Sequence, residues 1–482
     1  MVFSSVIFLF FFLPLFLMVY FSIRKELRNL TLLVASLVFY FWGEGRYVIV
    51  MILYMVFNWF FGLIIEKYKK QEAVGWAKFV FILSLVFNLG FLVFFKYFSF
   101  LVDNLNHLIV FSGKQFLVPN IHLPIGISFF TFQALSYVID VYRGDVKAQK
   151  SIIGFSMYKA LFPQLIAGPI VRYRDVAYQI DSRQVTFRHF AEGIERFIVG
   201  LAKKVLIANN VALLADQVFQ MNGQVLTAPS AWLGVVCYAL QIYFDFSGYS
   251  DMAIGLGKML GFDFLENFNY PYISKSIKEF WRRWHISLSS WFRDYLYISL
   301  GGNRKGKWHT YINLFAVFFL CGLWHGASWT FVIWGAWHGL FLVFERMRFG
   351  RLVDALPRVL RHGYTLIIVL IGWVFFRADN LTAAIAFLKA MAGASGTGTE
   401  QLLPLLNLKL GLALLLGFVF STPVYTRLRN ACDNLSFAST KGKLTVTSLY
   451  RAGFTTFLFV LFILCTVILS TNTYNPFIYF RF

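Results

Sequence analysis

Charged residues are scarce in this chain of 482 residues. Asp, Glu, Lys and Arg make up 14% of it, against roughly 25% in an average soluble domain. Hydrophobic residues make up 59%, and Phe alone occurs 58 times. No water-soluble core needs that much apolar surface, and the alternation typical of barrel strands is absent. The composition therefore predicts an all-α polytopic membrane protein, because in lipid a helix satisfies its backbone polar groups internally.

Cysteine is rare as well. The chain has four, at positions 237, 321, 432 and 465, and no two form a CxxC pair. The pattern therefore indicates neither a disulfide framework nor a cysteine zinc site. Nucleophile-elbow, Walker and dinucleotide-binding motifs are also missing from the sequence.

Basic residues outnumber acidic ones and give a net charge of +21. A charge of this size raises the question of nucleic acid. The basic residues fall between apolar segments, however, as they do in the cytoplasmic loops of membrane proteins. We therefore expect membrane lipid, and no nucleic acid, as a partner.

Apolar segments close to the ~20 residues that cross a bilayer recur along the chain. They lie at about 3–22, 29–43, 47–65, 79–102, 124–142, 231–256, 364–376, 407–422 and 452–470. The connections alternate in basic charge, which predicts that both chain termini lie outside the cytoplasm. The first segment lacks a basic n-region and is expected to be a retained helix. Residues 151–171 either span or re-enter, and 172–230 suit interfacial helices.

The apolar stretch 311–342 lies between two basic segments, 270–309 and 345–363. If both are cytoplasmic, the stretch enters the membrane and returns to the same side. A single helix of that length would run about 48 Å, more than a bilayer core requires. We therefore predict a hairpin whose turn lies near Gly326 and Ser328, which places His325 deep and beside a break in the helix.

Two histidines stand in the uncharged run LWHGASWTFVIWGAWHGL, namely His325 and His338. Thirteen positions on one helix separate them by roughly 220°, and no third ligand is near in sequence, so no metal site is predicted. His325 has two interpretations: a buried histidine bonded to a backbone carbonyl, or a functional group, as ionisable side chains inside membranes often are. For His338 the structural interpretation is favoured.

A third histidine, His285, lies in the basic and aromatic run WRRWHISLSSWFRDY. One interpretation is an amphipathic interfacial helix with aromatic anchors. The other is a basic mouth in which Arg282 and Arg283 attract an anionic donor such as a nucleotide thioester.

Carboxylates in apolar surroundings need partners. Asp245 and Asp251 lie in the apolar run QIYFDFSGYSDMAIG, and Asp294 follows His285 in its basic run. The two intramembrane carboxylates either pair with a cation or orient a histidine, and pairing is the simpler expectation.

Several long motifs resemble the membrane-bound O-acyltransferases, in particular the bacterial branch that acetylates alginate. They are PIGISFFTFQALSYVIDVYRG, FPQLIAGPIVRYRD, LQIYFDFSGYSDMAIGLGKMLGF, NFNYPYISKSIKEFWRRWHISLSSWFRDYLYISLGGNRKG and GLWHGASWTFVIWGAWHG. The resemblance implies one domain over 1–482, with core motifs at about 124–345, in a bacterial inner membrane. It also implies a ring of about 10–12 tilted helices, with re-entrant and interfacial helices, around a thin centre with a funnel or tunnel.

The resemblance further implies a reaction and a set of residues. Acetyl-CoA, a substrate and not a bound cofactor, would give up its acetyl group, which crosses the membrane to a partner O-acetyltransferase that modifies a polysaccharide. His325 would act as general base or carry the acyl group, and His285 would position the thioester or stabilise an oxyanion. The expected substrate-binding residues are Arg282, Arg283, Trp324 and Ser328, and the expected supporting residues are Asp245, Asp251 and Asp294.

Two kinds of alternative stay open at this point. The acceptor of the same family reaction could be cellulose, peptidoglycan, a teichoic acid carrier receiving D-alanine, or a lipid. A transporter without chemistry would instead need acidic residues through several spans and internal repeats, whereas only Asp245 and Asp251 are clearly placed in an apolar span.

Overall fold

The computed structural model describes residues 1–110, 115–221, 225–394, 406–427, 440–471 and 474–478. The described residues form helices and no strand, so the all-α class is confirmed. The helices of the first half are α1 (Phe8–Ser22), α2 (Arg28–Glu44), α3 (Tyr47–Lys70), α4 (Val74–Ile109), α5 (Ile127–Arg143), α6 (Ile152–Ala160), α7 (Phe162–Leu165), α8 (Tyr173–Ser182) and α9 (Phe187–Gln220). Those of the second half are α10 (Ala228–Met259), α11 (Ile277–Arg283), α12 (Ile286–Trp291), α13 (Lys307–His325), α14 (Trp329–Arg346), α15 (Arg348–Ala355), α16 (Arg358–Arg377), α17 (Leu381–Met391), α18 (Leu408–Phe420) and α19 (Thr440–Thr471).

Within the described residues, five helices are long and apolar enough to cross a membrane. They are α3, α4, α9, α16 and residues Arg451–Thr471 of α19. Large apolar side chains point outward on several helices, among them Phe11, Phe60 and Phe459, each more than half exposed. Such a surface suits lipid and confirms a multi-pass membrane protein. The ring of about 10–12 tilted helices and its funnel stay predictions.

The centre of the fold is α10, which is buried along most of its length. Helix α9 packs against it through paired glycines. A Cβ atom on Gly200 would lie 2.5 Å from the Gly248 carbonyl oxygen, and one on Gly193 would lie 2.6 Å from that of Gly255. The two backbones approach as closely as small residues allow in membrane helix pairs.

This packing corrects the interfacial interpretation of 172–230 for residues 187–220, which form α9. Three basic residues of α9 are paired with carboxylates of α10. Asp251 forms salt bridges with Lys203 at 2.6 Å and with Arg196 at 2.7 Å, and Asp245 forms one with Lys204 at 2.7 Å. Because these charges neutralise each other, α9 lies inside the protein and is long and apolar enough to cross a membrane. Pairing with cations is the arrangement expected for both aspartates.

Residues 151–171, predicted to span or to re-enter, form no single spanning helix. They fold into α6 and α7, which are nine and four residues long. Pro163 lies in the first turn of α7, where a missing backbone N–H is tolerated. The side chains of this segment are almost all buried in protein, which is where broken helices are stable at membrane depth.

The predicted hairpin is confirmed by α13 and α14. The chain leaves the helical conformation between His325 and Trp329, and the two arms of 19 and 18 residues run about 28 and 27 Å. The arms touch at Gly322 and Gly335. The approach is so close that a Cβ atom added to Gly335 would lie 3.0 Å from the Gly322 Cα atom. This contact holds the break in a fixed place.

The base of the hairpin joins the basic segment 270–309. The Glu345 carboxylate, near the end of α14, accepts hydrogen bonds from the backbone N–H groups of Ile277 (2.6 Å) and Lys278 (3.0 Å) at the start of α11. The two basic segments that flank the hairpin therefore lie at the same end of the molecule, as their shared charge predicts.

Candidate functional site

His325 is the last residue of α13 and lies in an aromatic cage. Its ring meets those of Trp324 (4.9 Å), Trp334 (4.9 Å) and Phe376 (5.0 Å) edge to face. The residue is buried, with 7% of its surface exposed. It nevertheless lines two cavities.

The larger cavity has a volume of about 330 Å³. Its lining includes His122, whose side chain is half exposed and pairs with Glu44 at 2.9 Å. It also includes buried His325. The cavity is lined by Gly43, Glu44, Lys96, His122, Leu123, Pro124, Ile125, Gly126, Ile127, Ser128, Phe129, Ile166, Trp324 and His325. A hydroxyl-bearing molecule can therefore approach His325 from the end of the protein where α2 ends and α5 begins.

The smaller cavity is a void of about 10 Å³ that is lined by both His285 and His325. Its size is close to what one water molecule needs. The lining residues are Ile242, Phe246, Trp284, His285, His325, Trp334, Trp373, Phe376 and Ile478. The fold thus brings His285 and His325, 40 positions apart in sequence, to one place, as the resemblance implies.

Asn267 fixes the ring of His285. Its Oδ1 lies 2.9 Å from His285 Nδ1 and also accepts from the backbone N–H of Ser287 at 3.3 Å. Because that N–H can only donate, Asn267 Oδ1 is the acceptor and His285 Nδ1 carries the proton. His285 Nε2 is buried and has no hydrogen-bond partner among the described residues, so its lone pair is available to a group in the void.

The backbone of His285 is also unusual. Its φ of +43° and ψ of +57° lie in the left-handed region, in the turn between α11 and α12. A residue with a Cβ atom adopts this conformation at a cost and keeps it only when its surroundings require it. Here the backbone N–H of Ile286 bonds to the Asn267 carbonyl at 2.9 Å, so the turn and the ring are held by the same residue.

Sequence reasoning missed Asn267 and Lys96. Lys96 donates to the backbone carbonyls of Trp324 (2.5 Å) and His325 (2.9 Å). A lone lysine within the predicted span 79–102 was a usable signal, since charges inside membranes are costly and usually functional. Asn267 begins the motif NFNYPYISK, but nothing in the sequence marks its role, because that role depends on a loop folding back 18 residues onto His285.

The predicted donor-binding arginines do not reach either cavity. Arg282 is exposed, and Arg283 is paired with Glu279 at 3.0 Å. Other arginines surround Asp294, which forms salt bridges with Arg172 at 2.6 Å, Arg293 at 2.7 Å and Arg174 at 3.0 Å. Burial would raise the pKa of the Asp294 carboxyl, but hydrogen bonds from Arg293 and Arg172 lower this pKa overall, so Asp294 stays ionised.

Three guanidinium groups also surround the ring of Tyr295, at 5.4 to 5.9 Å. They belong to Arg143, Arg172 and Arg174. Together with Arg293 they form what we call the arginine cluster. Asp140 and Asp175 also pair with these arginines, so four guanidinium groups face three carboxylates. The cluster is partly exposed through Arg143 and Arg293.

An unbroken series of rings leads from the arginine cluster to the histidines. Tyr295 and Trp291 are 5.2 Å apart, Trp291 stacks on Phe132 at 3.8 Å, and Phe132 faces Trp324 at 5.1 Å. Trp324 then meets His325 at 4.9 Å and His285 at 6.4 Å. Trp324 therefore lies beside both histidines, and its expected role in substrate binding stays a prediction.

Two further residues of the hairpin, Ser328 and His338, lie outside both cavities. Ser328 caps α14, since its hydroxyl accepts from the Thr330 backbone N–H at 3.4 Å. It lines neither cavity. His338 is fully buried between the rings of Trp281 and Trp334, and both its ring nitrogens lack partners among the described residues. It also lines neither cavity.

The geometry suits proton transfer from a hydroxyl group. One imidazole lines a cavity open to such a group, and a second imidazole, with a bare nitrogen, lines a water-sized void together with the first. A base that is oriented by a further group is the usual arrangement for activating a nucleophile.

Comparisons with known proteins identify the family of this chain. Residues 127–383 match the model of MBOAT, the membrane-bound O-acyltransferase family. The chain is 42% identical to the probable alginate O-acetylase AlgI of Pseudomonas putida, over the whole of both chains. It is 50% identical to the protein of that name from Pseudomonas aeruginosa, over 81% of this chain and 75% of the relative. It is 36% identical to the peptidoglycan O-acetyltransferase of Helicobacter pylori, over 82% and 80%. The chain belongs to the membrane-bound O-acyltransferase family.

Proposed function

We propose that this chain is a membrane O-acetyltransferase that moves an acetyl group across the bacterial inner membrane for the O-acetylation of an exported polysaccharide. The relatives named as alginate O-acetylases support alginate as the polymer. The observation that carries the proposal is the position of His325 between an accessible cavity and the void it shares with His285. A second O-acetyltransferase outside the cytoplasm is the proposed partner that receives the acetyl group.

The proposed orientation follows the charge of the connections. The weakly charged segments 43–46 and 103–116 lie outside, together with both termini, and the basic segments 143–150 and 270–309 lie in the cytoplasm. Gly43 and Glu44, in the segment proposed to lie outside, line the larger cavity. Arg143 of the arginine cluster begins the segment proposed to lie in the cytoplasm. Helix α5, which runs from Ile127 to Arg143, covers about 26 Å between them.

We propose that the donor is acetyl-CoA and that its phosphates bind the arginine cluster. Guanidinium groups match phosphate through paired N–H donors. Arg143 and Arg293 are exposed and hold the most accessible charge. Arg282 and Arg283 would only help to attract the anionic donor, since Arg282 is exposed on the basic segment 270–309. A thioester arm that follows Trp291 and Trp324 would bring the acetyl carbonyl to the histidines.

The proposed chemistry assigns different tasks to the two histidines. The acceptor hydroxyl enters the larger cavity, its oxygen attacks the acetyl carbonyl, and His325 takes its proton. The carbon–sulfur bond then breaks, and the thiolate leaves with that proton. His285 Nε2 has a lone pair and no proton, so it accepts a hydrogen bond from the His325 ring or from a water in the void. It therefore orients the base, and donation to an oxyanion is not assigned to it.

The acceptor polymer is tested in cells that export alginate. Deletion of this chain should remove the O-acetyl groups from the exported alginate, and the wild-type chain should restore them. His325→Ala, inserted at the wild-type level, should not restore them, whereas His309→Ala, at an exposed position, should. Alginate that stays acetylated in the deletion strain would contradict the proposed acceptor. Loss of acetyl groups from peptidoglycan instead would transfer the function to the acceptor named for the Helicobacter pylori relative.

A further inference from the structure

Lys96 lies inside α4, in a π-helical turn over Val93–Tyr97. Its ammonium group donates to the carbonyl oxygens of Trp324 (2.5 Å) and His325 (2.9 Å) and to Ser128 Oγ (3.1 Å). An ammonium group has three N–H donors, so all three are used. Lys96 thus ties α4 to the end of α13 and to the start of α5.

The neighbouring residue serves the same helix end. The Tyr97 hydroxyl donates to the Leu323 carbonyl at 2.6 Å. Three successive carbonyls at the end of α13 therefore receive side-chain donors from one turn of α4. The last carbonyls of a helix have no partner within the helix, and at membrane depth there is no bulk water to satisfy them. The π-helical turn, a feature frequent at functional sites, presents both side chains to them.

The charge of Lys96 is not explained by an ion pair. Among the described residues, no carboxylate lies within salt-bridge distance of its Nζ atom, whereas Asp245, Asp251 and Asp294 each have cationic partners. Its Nζ atom donates to the last carbonyls of α13, where a lysine side chain can satisfy a helix end. The residue held at that end is His325. Lys96 also lines the larger cavity beside it.

We propose that Lys96 is a positioning residue for acyl transfer, holding the backbone of Trp324 and His325 so that the His325 ring faces the acceptor cavity. This rests on the proposed function, in which His325 takes the proton. His325 has no helical residue after it, so the direction of its side chain depends on how the end of α13 is held. A displacement of about 1 Å at a reacting group can cost about 100-fold in rate.

The first test compares three variants of the full-length protein in lipid. Lys96→Met should lower kcat for acetyl transfer about 10- to 100-fold and leave KM for acetyl-CoA unchanged, because the proposed phosphate site of the donor, the arginine cluster, does not include Lys96. Lys96→Arg keeps cationic donors and should recover part of the loss. The matched control is Lys78→Met, which makes the same substitution at an exposed position of the same helix and should behave as wild type.

The second test separates positioning from general support of the fold. In protein with ¹⁵N-labelled histidine, the His325 resonances, identified by their loss in His325→Ala, should shift in Lys96→Met while those of His285 stay in place. This readout needs no substrate, so it tests Lys96 even if the wild-type protein transfers no acetyl group. Wild-type kcat in Lys96→Met would overturn the proposal. So would unmoved His325 resonances, or a loss of activity in Lys96→Met and Lys96→Arg that only follows the loss of folded protein.

Discussion

The Nδ1 atom of His285 lies 2.9 Å from Oδ1 of Asn267, and that oxygen also accepts the backbone N–H of Ser287. The backbone donor identifies the amide oxygen, and the oxygen in turn places the proton on Nδ1 of the imidazole. The opposite nitrogen, Nε2, is left bare and buried. A loop residue therefore determines which nitrogen of His285 is available to the void.

Asn267→Ala is expected to lower kcat about 10- to 100-fold, because the His285 ring loses its fixed tautomer and direction. Initial rates of acetyl transfer at saturating acetyl-CoA, corrected for folded protein, measure the effect. Ser250→Ala is the control, since Ser250 contacts only the amide nitrogen of Asn267, at 2.9 Å, and it should keep most of the activity. Equal losses in both variants would assign Asn267 a packing role alone.

Gly335→Ala is expected to destabilise the hairpin by about 1–3 kcal/mol, the usual cost of overpacking. The new Cβ atom would lie 2.4 Å from the Phe318 carbonyl oxygen, which belongs to the facing helix and cannot move alone. Thermal unfolding followed by tryptophan fluorescence measures the change. Gly363→Ala in α16 is the control, because a Cβ atom there meets nothing within 4 Å. An unchanged unfolding temperature for Gly335→Ala would contradict the close crossing.

Asp245→Asn is expected to cost about 3–5 kcal/mol, because it leaves the charge of Lys204 buried without its carboxylate. Both side chains are at most 3% exposed. Adding Lys204→Met should recover part of the loss, since the unpaired charge is then gone. The exposed pair of Arg188 and Glu192 gives the comparison, and Arg188→Ala should change stability by less than about 1 kcal/mol. A double variant no more stable than Asp245→Asn would rule out this explanation.

The hairpin also makes a prediction about topology. Cysteines placed at Lys305 and Arg348, which are exposed at its two ends, should react with a membrane-impermeant thiol reagent only from the cytoplasmic side. A cysteine at Leu117, which is exposed beyond the far end of α4, should react only from the other side. Labelling of Lys305 and Arg348 positions from opposite sides would contradict the orientation derived from charge.

The hairpin itself was predictable because its signal is local. Basic segments on both sides of 311–342 and the small residues near 326–328 are enough to predict where the chain turns. The position of His325 beside the break follows from the same argument. Identifying His285 as its companion required the family resemblance, since 40 residues separate the two and no periodicity joins them.

The contacts that complete the site were not predictable in this way. Lys96 reaches carbonyl groups 228 and 229 positions away, and such a pairing depends on how whole helices cross. The error at 172–230 has the same origin. The basic residues of α9 and the aspartates of α10 each gave a correct local signal, a basic helix and two buried acids. Only the packed structure shows that they neutralise each other.

The most direct test of the account uses purified protein in lipid vesicles with acetyl-CoA labelled in its acetyl group. The wild-type protein should release or transfer the label, His325→Ala should reduce that rate at least about 100-fold, and His309→Ala, at an exposed position, should match wild type. Labelled acetyl transfer by a folded His325→Ala protein at the wild-type rate would contradict the central claim that His325 performs the acyl-transfer chemistry.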